Sequence, residues 1–393
     1  MTPLATRDSE PISSGEIQTV DPTRLEAVQR RHDQIREFLL HTSLDAVLLT
    51  DPATIAWFTI GSRLQLTGAT QAGGRLFITR QARVVVCRDC DSGQFFDREV
   101  AGLGFQLKER PWQQPLRKLT DDLCRGRQVG CDDARGGSVD VSGELTALRR
   151  PDDPLEIVRL RQLSRELAHS VEATCRAFDQ GETEAEIAGH VAHRLIRRSI
   201  RPVQIQVLAD AQGHRYRQWN YGPDQVQRFA TIKVTGERDG LHAMAARTVC
   251  FGKPPRAVAA AHEVASLVQA TGMFFSQADW TASEVWKRVA RIYEKLGAAN
   301  EWRQAEQAAV VGYSPVERLM TPTAAFSLPP GTVMSWFPSV RAAMTGDTIL
   351  VREEGFELLS LGDDWPMLSV VVKGHSVDRP AILVRDDSGR SIF

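Results

Sequence analysis

Three titratable side chains, His242, Glu306 and Glu317, are the residues best suited by type to acid–base chemistry. An imidazole or a carboxylate can exchange a proton near neutral pH once burial or a neighbouring charge shifts it. His242 stands two residues before Met244, so both share one face of any extended segment. Glu306 and Glu317 flank Tyr313, with Arg303 and Arg318 close enough in sequence to hold them in plain ion pairs. His214 lies beside Gly213, Arg215 and Arg217, a composition that suits a surface turn. His190 and His193 are spaced to share a metal on a helix, but no further ligand is placed beside them. Of six cysteines only Cys87 and Cys90 have a redox or zinc spacing. No second pair completes a site, and Cys87 ends the apolar run 84–86 as a strand-end thiol would.

The bulk numbers set the frame for these groups. A chain of 393 residues, 42% hydrophobic and 25% charged, has the composition of a soluble globular protein of about two to three domains. The formal net charge of -1 supplies no electrostatic argument for nucleic acid, an anionic membrane or an acidic partner. No stretch approaches the roughly 18 apolar residues of a membrane span, and the first residues lack a basic start followed by an apolar core. A cytoplasmic protein with a disordered tail over residues 1–22 is the expectation.

Periodicity marks the elements. The charged helical stretch LEAVQRRHDQIREFLLHT leads to the short apolar run 46–49, which reads as a buried strand ended by Asp51-Pro52. Gly73-Gly74 precedes two strand-like runs in RLFITRQARVVVCRD. The segment LRRPDDPLEI, with two prolines and a charge cluster, separates a domain at 23–148 from another at 152–393. In the second, Leu155, Val158, Leu160, Leu163, Leu167 and Val171 fall largely on one face of a helix running to about Phe178. Thr183 with Glu186, and Thr281 with Glu284, are two Thr-x-x-Glu capping boxes, each opening a helix that follows another long helix (154–178 and 256–271) and precedes strand-like residues. That recurrence points to a duplicated α/β half with a site shared between the halves.

The chain resembles the creatinase and aminopeptidase P family over residues 24 to 375. The resemblance rests, in order, on LDAVLLTDPATIAWFTIG, DDPLEIVRLRQLSRELAHSV, DGLHAMAARTVCFG, EWRQAEQAAVVGYSPVERL and GTVMSWFPSVRAAMTGDTILVREEGFELLS. It implies an α/β (α+β) fold with a small N-terminal domain and a duplicated C-terminal "pita-bread" domain. It also implies a homodimer, and peptidase chemistry at two divalent metals held by two aspartates, a histidine and two glutamates, which activate a bridging water.

Carried over residue by residue, that ligand set is replaced. Anchored on Arg247-Thr248, the second aspartate position is Met244 and the first, eleven residues earlier, is Lys233. The histidine position falls near Ala305 or Glu306, with no histidine anywhere between His262 and His375. The glutamate positions fall at Phe337, before Pro338, and at Gly346, before Asp347. The family's metal-free creatinase route fares no better: its base aligns with Gln218, which has no titratable proton near neutrality, and one of its glutamates aligns with Ala246. Arg247 and Asp347 survive beside the lost positions, where a pair between Arg247 and a carboxylate could hold their neighbours, and Lys233 could take the place of the metals' positive charge by pairing internally with a remaining acid.

The expectation is therefore a pseudoenzyme without metal or other cofactor. It binds a small molecule, peptide or protein in the inherited cleft, around Gln218, Lys233, Met244, Arg247, Tyr313, Phe337 and Asp347. The competing class is a metal-independent hydrolase or lyase acting on a small amide, guanidino or amino-acid-like substrate through His242, Glu306 or Glu317.

Overall fold

The structure, a computed structural model, describes residues 21–65, 73–133, 138–210, 215–362 and 364–386. Most of the expected tail, and His214, lie outside the described residues. The chain divides into two compact units, Met1–Ala147 and Leu148–Phe393.

The first unit is a mixed six-stranded sheet with helices. Its strands are β1 (Ala46–Leu49), β2 (Arg75–Thr79), β3 (Arg83–Arg88), β4 (Phe105–Arg110), β5 (Val129–Cys131) and β6 (Val139–Asp140), in the order β4-β3-β2-β1-β5-β6. The helix Pro22–Thr42 already includes Pro22, because Asp21 caps it and proline suits the first helical position. β2 and β3, the two strand-like runs around a polar turn, pair antiparallel. Cys87 is buried at the end of β3 and burial pushes its thiol pKa up to about 12, so it is an inert strand-end thiol; all six cysteines are free.

In the second unit the helix Pro154–Ala177 opens on a complete capping box from Asp153 and Glu156. Its Leu160, Leu163, Leu167 and Val171 are fully buried, each contributing about 1.5–3 kcal/mol of hydrophobic stabilisation. The helix Glu184–Ile196 precedes β7 (Arg201–Ala209), β8 (Phe229–Arg238) and β9 (Leu241–Phe251). β7, β8 and β9 form an antiparallel meander. A two-residue turn joins β8 to β9, with Asp239 and Gly240 at φ 53° and 77°, the left-handed values a tight hairpin needs. On β8 a Cβ at Gly236 would lie 2.7 Å from both Ile200 and Leu167, so glycine is what lets the sheet approach the first helix this closely.

The pattern then repeats. The helices Arg256–Phe275 and Ala282–Lys295 precede β10 (Ala308–Val310), β11 (Arg318–Leu319), β12 (Val333–Trp336), β13 (Ser339–Val340), β14 (Ala343–Met344), β15 (Asp347–Val351) and β16 (Phe356–Leu358). β10, β12 and β15 form a second antiparallel meander. The first of these helices runs four residues past the expected end at 271, since Thr271, Gly272, Met273 and Phe275 are all buried and packing extends it. Both capping boxes are formed, and each capping threonine makes an isolated bridge to the segment before its central strand, Thr183 to Gln225 and Thr281 to Ser327. β17 (Met367–Val372) and β18 (His375–Pro380) make a hairpin, and β19 (Leu383–Arg385) returns parallel to β9. A bridge from Ala246 to Gly346 ties the two meanders together.

Candidate functional site

Strand register decides which side chains share a face. In the β7–β8–β9 sheet, Lys233 pairs with Ala246 and Thr235 with Met244, while Glu237 pairs with His242. Successive strand residues point to opposite faces, so Lys233 and Thr235 lie with Met244 and His242 on one side, and Arg247 lies on the other. The first side meets a cavity of about 180 Å³ whose lining includes Gln204, Lys233, Thr235, His242, Met244 and Ser335. Glu306 and Gln218 stand exposed at its mouth, joined by a hydrogen bond from the Gln218 amide to the Glu306 carboxylate, and Phe337 completes one wall.

Lys233 is the cation of this cavity. Its Nζ sits 4.3 Å from the centroid of the Phe337 ring, a cation–π contact worth about 0.5–2 kcal/mol. Among the described residues its ammonium has no hydrogen bond and no carboxylate within ion-pair distance. Burial pulls its pKa down from 10.5 to about 8, opposed by the attraction of Glu306.

His242 is fully buried, and its Nδ1 lies 3.1 Å from the Gly312 carbonyl oxygen, which can only accept, so Nδ1 carries the proton. Burial lowers its pKa to about 4, with Glu237 and the Gly312 carbonyl pulling the other way. The imidazole is therefore neutral at pH 7.

The remaining candidates lie elsewhere in the same unit. Glu317 is held by Arg149 at 2.6 Å and by the Ser314 backbone N–H at 2.8 Å, so it is a buried structural ion pair rather than a cavity carboxylate; its partner is neither Arg303 nor Arg318. Tyr313 is buried and donates its hydroxyl to Glu156. Arg247 meets Glu172 at 2.8 Å and Asp347 at 2.9 Å on the far face of β9, and Arg379 reaches Asp347 at 3.2 Å. Arg247, Tyr313 and Asp347, expected in the cleft, thus support its walls from behind. His190 pairs with Glu182 at 2.9 Å on the surface.

Sequence reasoning missed Gln204, Thr235 and Ser335 as lining residues. Thr235 was within reach of the strand period, two residues from Lys233; Gln204 and Ser335 depend on inter-strand register.

The donor set can be tested against a two-metal centre. Among the described residues no group of three or more His, Cys, Asp or Glu is arranged to hold a metal ion. A Cβ at Gly346 would stand 2.8 Å from Met244 Sδ and from Ala246 Cβ, so there is no room for a longer side chain there as the strands now pack. Lys233, Met244 and Phe337 offer a cation, a thioether and a ring where hard divalent ions require oxygen and imidazole.

No protein-family model matches the sequence, and no curated protein matches it. Solved structures do. The prolidase from Pyrococcus horikoshii OT3 superposes with a TM-score of 0.73 at 15% identity, covering 85% of this chain and 99% of its own. The chain has the prolidase fold. The dipeptidase PepE from Mycobacterium ulcerans, also at 15% identity and TM-score 0.73, covers 92% of this chain and 99% of its own. A variant of Escherichia coli aminopeptidase P, solved in complex with substrate, covers 86% and 94% at 16% identity and TM-score 0.68. The pita-bread architecture expected from the sequence is thus the observed one, and identities this low carry the fold without the chemistry.

Proposed function

We propose that this chain is a homologue of prolidase and aminopeptidase P that has no dimetal centre and binds a small carboxylate ligand in the Lys233 cavity. One observation carries the reading: an ammonium without an ionic partner faces a cavity. A sheltered charge without a counter-ion is unfavourable, and an anionic ligand relieves it by a charge-assisted hydrogen bond. The cavity's size narrows the ligand. Its volume of about 180 Å³ lies below the roughly 300–1,000 Å³ of pockets for drug-sized molecules, so a small acid fits and a peptide does not. Gln204, Thr235 and Ser335 supply neutral polar partners, while Met244 and Phe337 supply apolar surface for the ligand's body.

The test is thermal unfolding of the full chain and of Lys233→Met with short carboxylic acids, and separately with Mn2+ and Zn2+. An acid that raises the melting temperature of the wild type and loses about ten- to a hundredfold in affinity in Lys233→Met supports the reading, as expected for one charged hydrogen bond of about 1.5–3 kcal/mol. Stoichiometric metal binding with hydrolysis of Xaa-Pro dipeptides would overturn it.

A further inference from the structure

Resting on that reading and deepening it, we propose that Lys233 is an imine-forming amine and that the ligand is a small carbonyl acid with its aldehyde or ketone next to the carboxylate.

The first support is the choice of residue. The chain has only seven lysines among its 48 basic residues. Six of them, Lys108, Lys118, Lys253, Lys287, Lys295 and Lys373, are exposed. Where the fold needs a buried cation it uses arginine, as at Arg149, Arg247, Arg379 and Arg385. Arginine cannot lose its proton in a protein, whereas lysine can and then becomes a nucleophile. The one sheltered lysine stands in the cavity, beside a carboxylate at the mouth and against a ring that excludes water on one side.

The step balances without a redox partner. The ammonium attracts the acid's carboxylate, which brings the adjacent carbonyl carbon to the amine. Glu306, its carboxylate held by Gln218 at the cavity mouth beyond ion-pair distance of the amine, accepts a proton from the ammonium through an intervening water. The nitrogen lone pair then forms a bond to the carbonyl carbon, and the carbonyl oxygen becomes a hydroxyl by taking that proton. Glu306 then carries a second proton from the newly bonded nitrogen to the hydroxyl; this frees the nitrogen lone pair, which forms the second C–N bond as water leaves, and the product is a protonated imine. One ammonium and one carbonyl give one iminium and one water. The lowered pKa of Lys233 adds to this, since the neutral fraction of its amine at pH 7 exceeds that of an ordinary lysine by about two orders of magnitude.

The experiment is trapping with glyoxylate and sodium cyanoborohydride at neutral pH on the full chain, with each lysine's carboxymethylation followed by peptide mapping. The six exposed lysines are the internal standard. Lys233 modified at least about tenfold faster than any of them, and slowed in Glu306→Gln, is the expected result. Lys233 modified no faster than Lys253 or Lys287 overturns the proposal. Lactate, which carries the carboxylate but no carbonyl, separates the two levels. Lactate binding that depends on Lys233 without trapping leaves the anion site standing and removes the imine, whereas loss of both removes both.

Discussion

Lys233 and Phe337, 104 positions apart in sequence, meet with the ammonium 4.3 Å from the ring centroid. The family resemblance aligns both positions with metal-binding carboxylates, and here a cation and its π partner occupy that place. The contact offsets only part of the cost of sheltering the charge, because a ring face is a weaker partner than a carboxylate. From this follows the first prediction.

Lys233→Met stabilises the protein. The folded-state pKa of about 8 lies below the ordinary 10.5, so the unfolded chain binds the proton more tightly. The cost is fully present below pH 8 and disappears as pH rises towards 10.5. Urea unfolding at pH 7 should show Lys233→Met more stable than wild type by about 1–3 kcal/mol, with the gap narrowing above pH 8. A variant less stable than wild type at pH 7 would mean that Lys233 has a counter-charge after all.

His242 and His262 give the fold an acid-sensitive window. Burial lowers both pKa values from 6.5 to about 4. Between those values the unfolded chain takes up protons that the folded chain refuses, so stability falls as pH drops from about 6.5 towards 4. Each histidine accounts for a loss on the order of 3 kcal/mol across the window. Denaturation midpoints measured from pH 7 to 4 should fall less steeply in His262→Gln than in wild type.

The pairing of Arg247 with Glu172 and Asp347 behind the cavity is structural. Arg247→Met leaves the Glu172 carboxylate buried without its partner, at a cost of about 3–5 kcal/mol, read from urea unfolding. Glu172→Gln combined with Arg247→Met should recover part of the loss, since the double change removes a buried charge rather than stranding it.

Much of this was legible in the sequence, and the misses have different causes. Capping at Thr183 and Thr281 depends on residues three apart, and the first long helix on a periodic apolar face, so local pattern was enough to find them. The aligned positions Lys233, Met244, Glu306 and Phe337 meet around one cavity because order along the chain reflects the duplicated fold. Arg247 was misplaced because three residues along β9 put it on the opposite face from Met244, a consequence of the same strand alternation that places His242 beside Met244 and that was not applied to Arg247. Glu317 was misread because its partner, Arg149, lies 168 residues away, beyond any local signal. Gly346, by contrast, was a visible anomaly whose meaning needed the packing of Met244.

That packing yields a further prediction. Gly346→Ala places a Cβ within 2.8 Å of Met244 Sδ and should destabilise the protein by about 1–3 kcal/mol. Met244→Ala in the same chain removes one of the two clashes, so a double-mutant cycle monitored by thermal unfolding should give a favourable coupling energy. Independent, additive losses would mean that the strands shift instead.

The most direct test of a cavity built around a lone ammonium is a pH titration of the full chain with 13Cε-labelled lysine, followed by NMR. Of the seven lysine resonances, the seventh, assigned by Lys233→Arg, should titrate near 8. Adding a small carboxylate that binds should move that seventh midpoint upwards, because the anion favours the charged amine. A Lys233 midpoint at the ordinary 10.5, or a Lys233 signal that ignores carboxylates but responds to Mn2+ or Zn2+, would contradict the account.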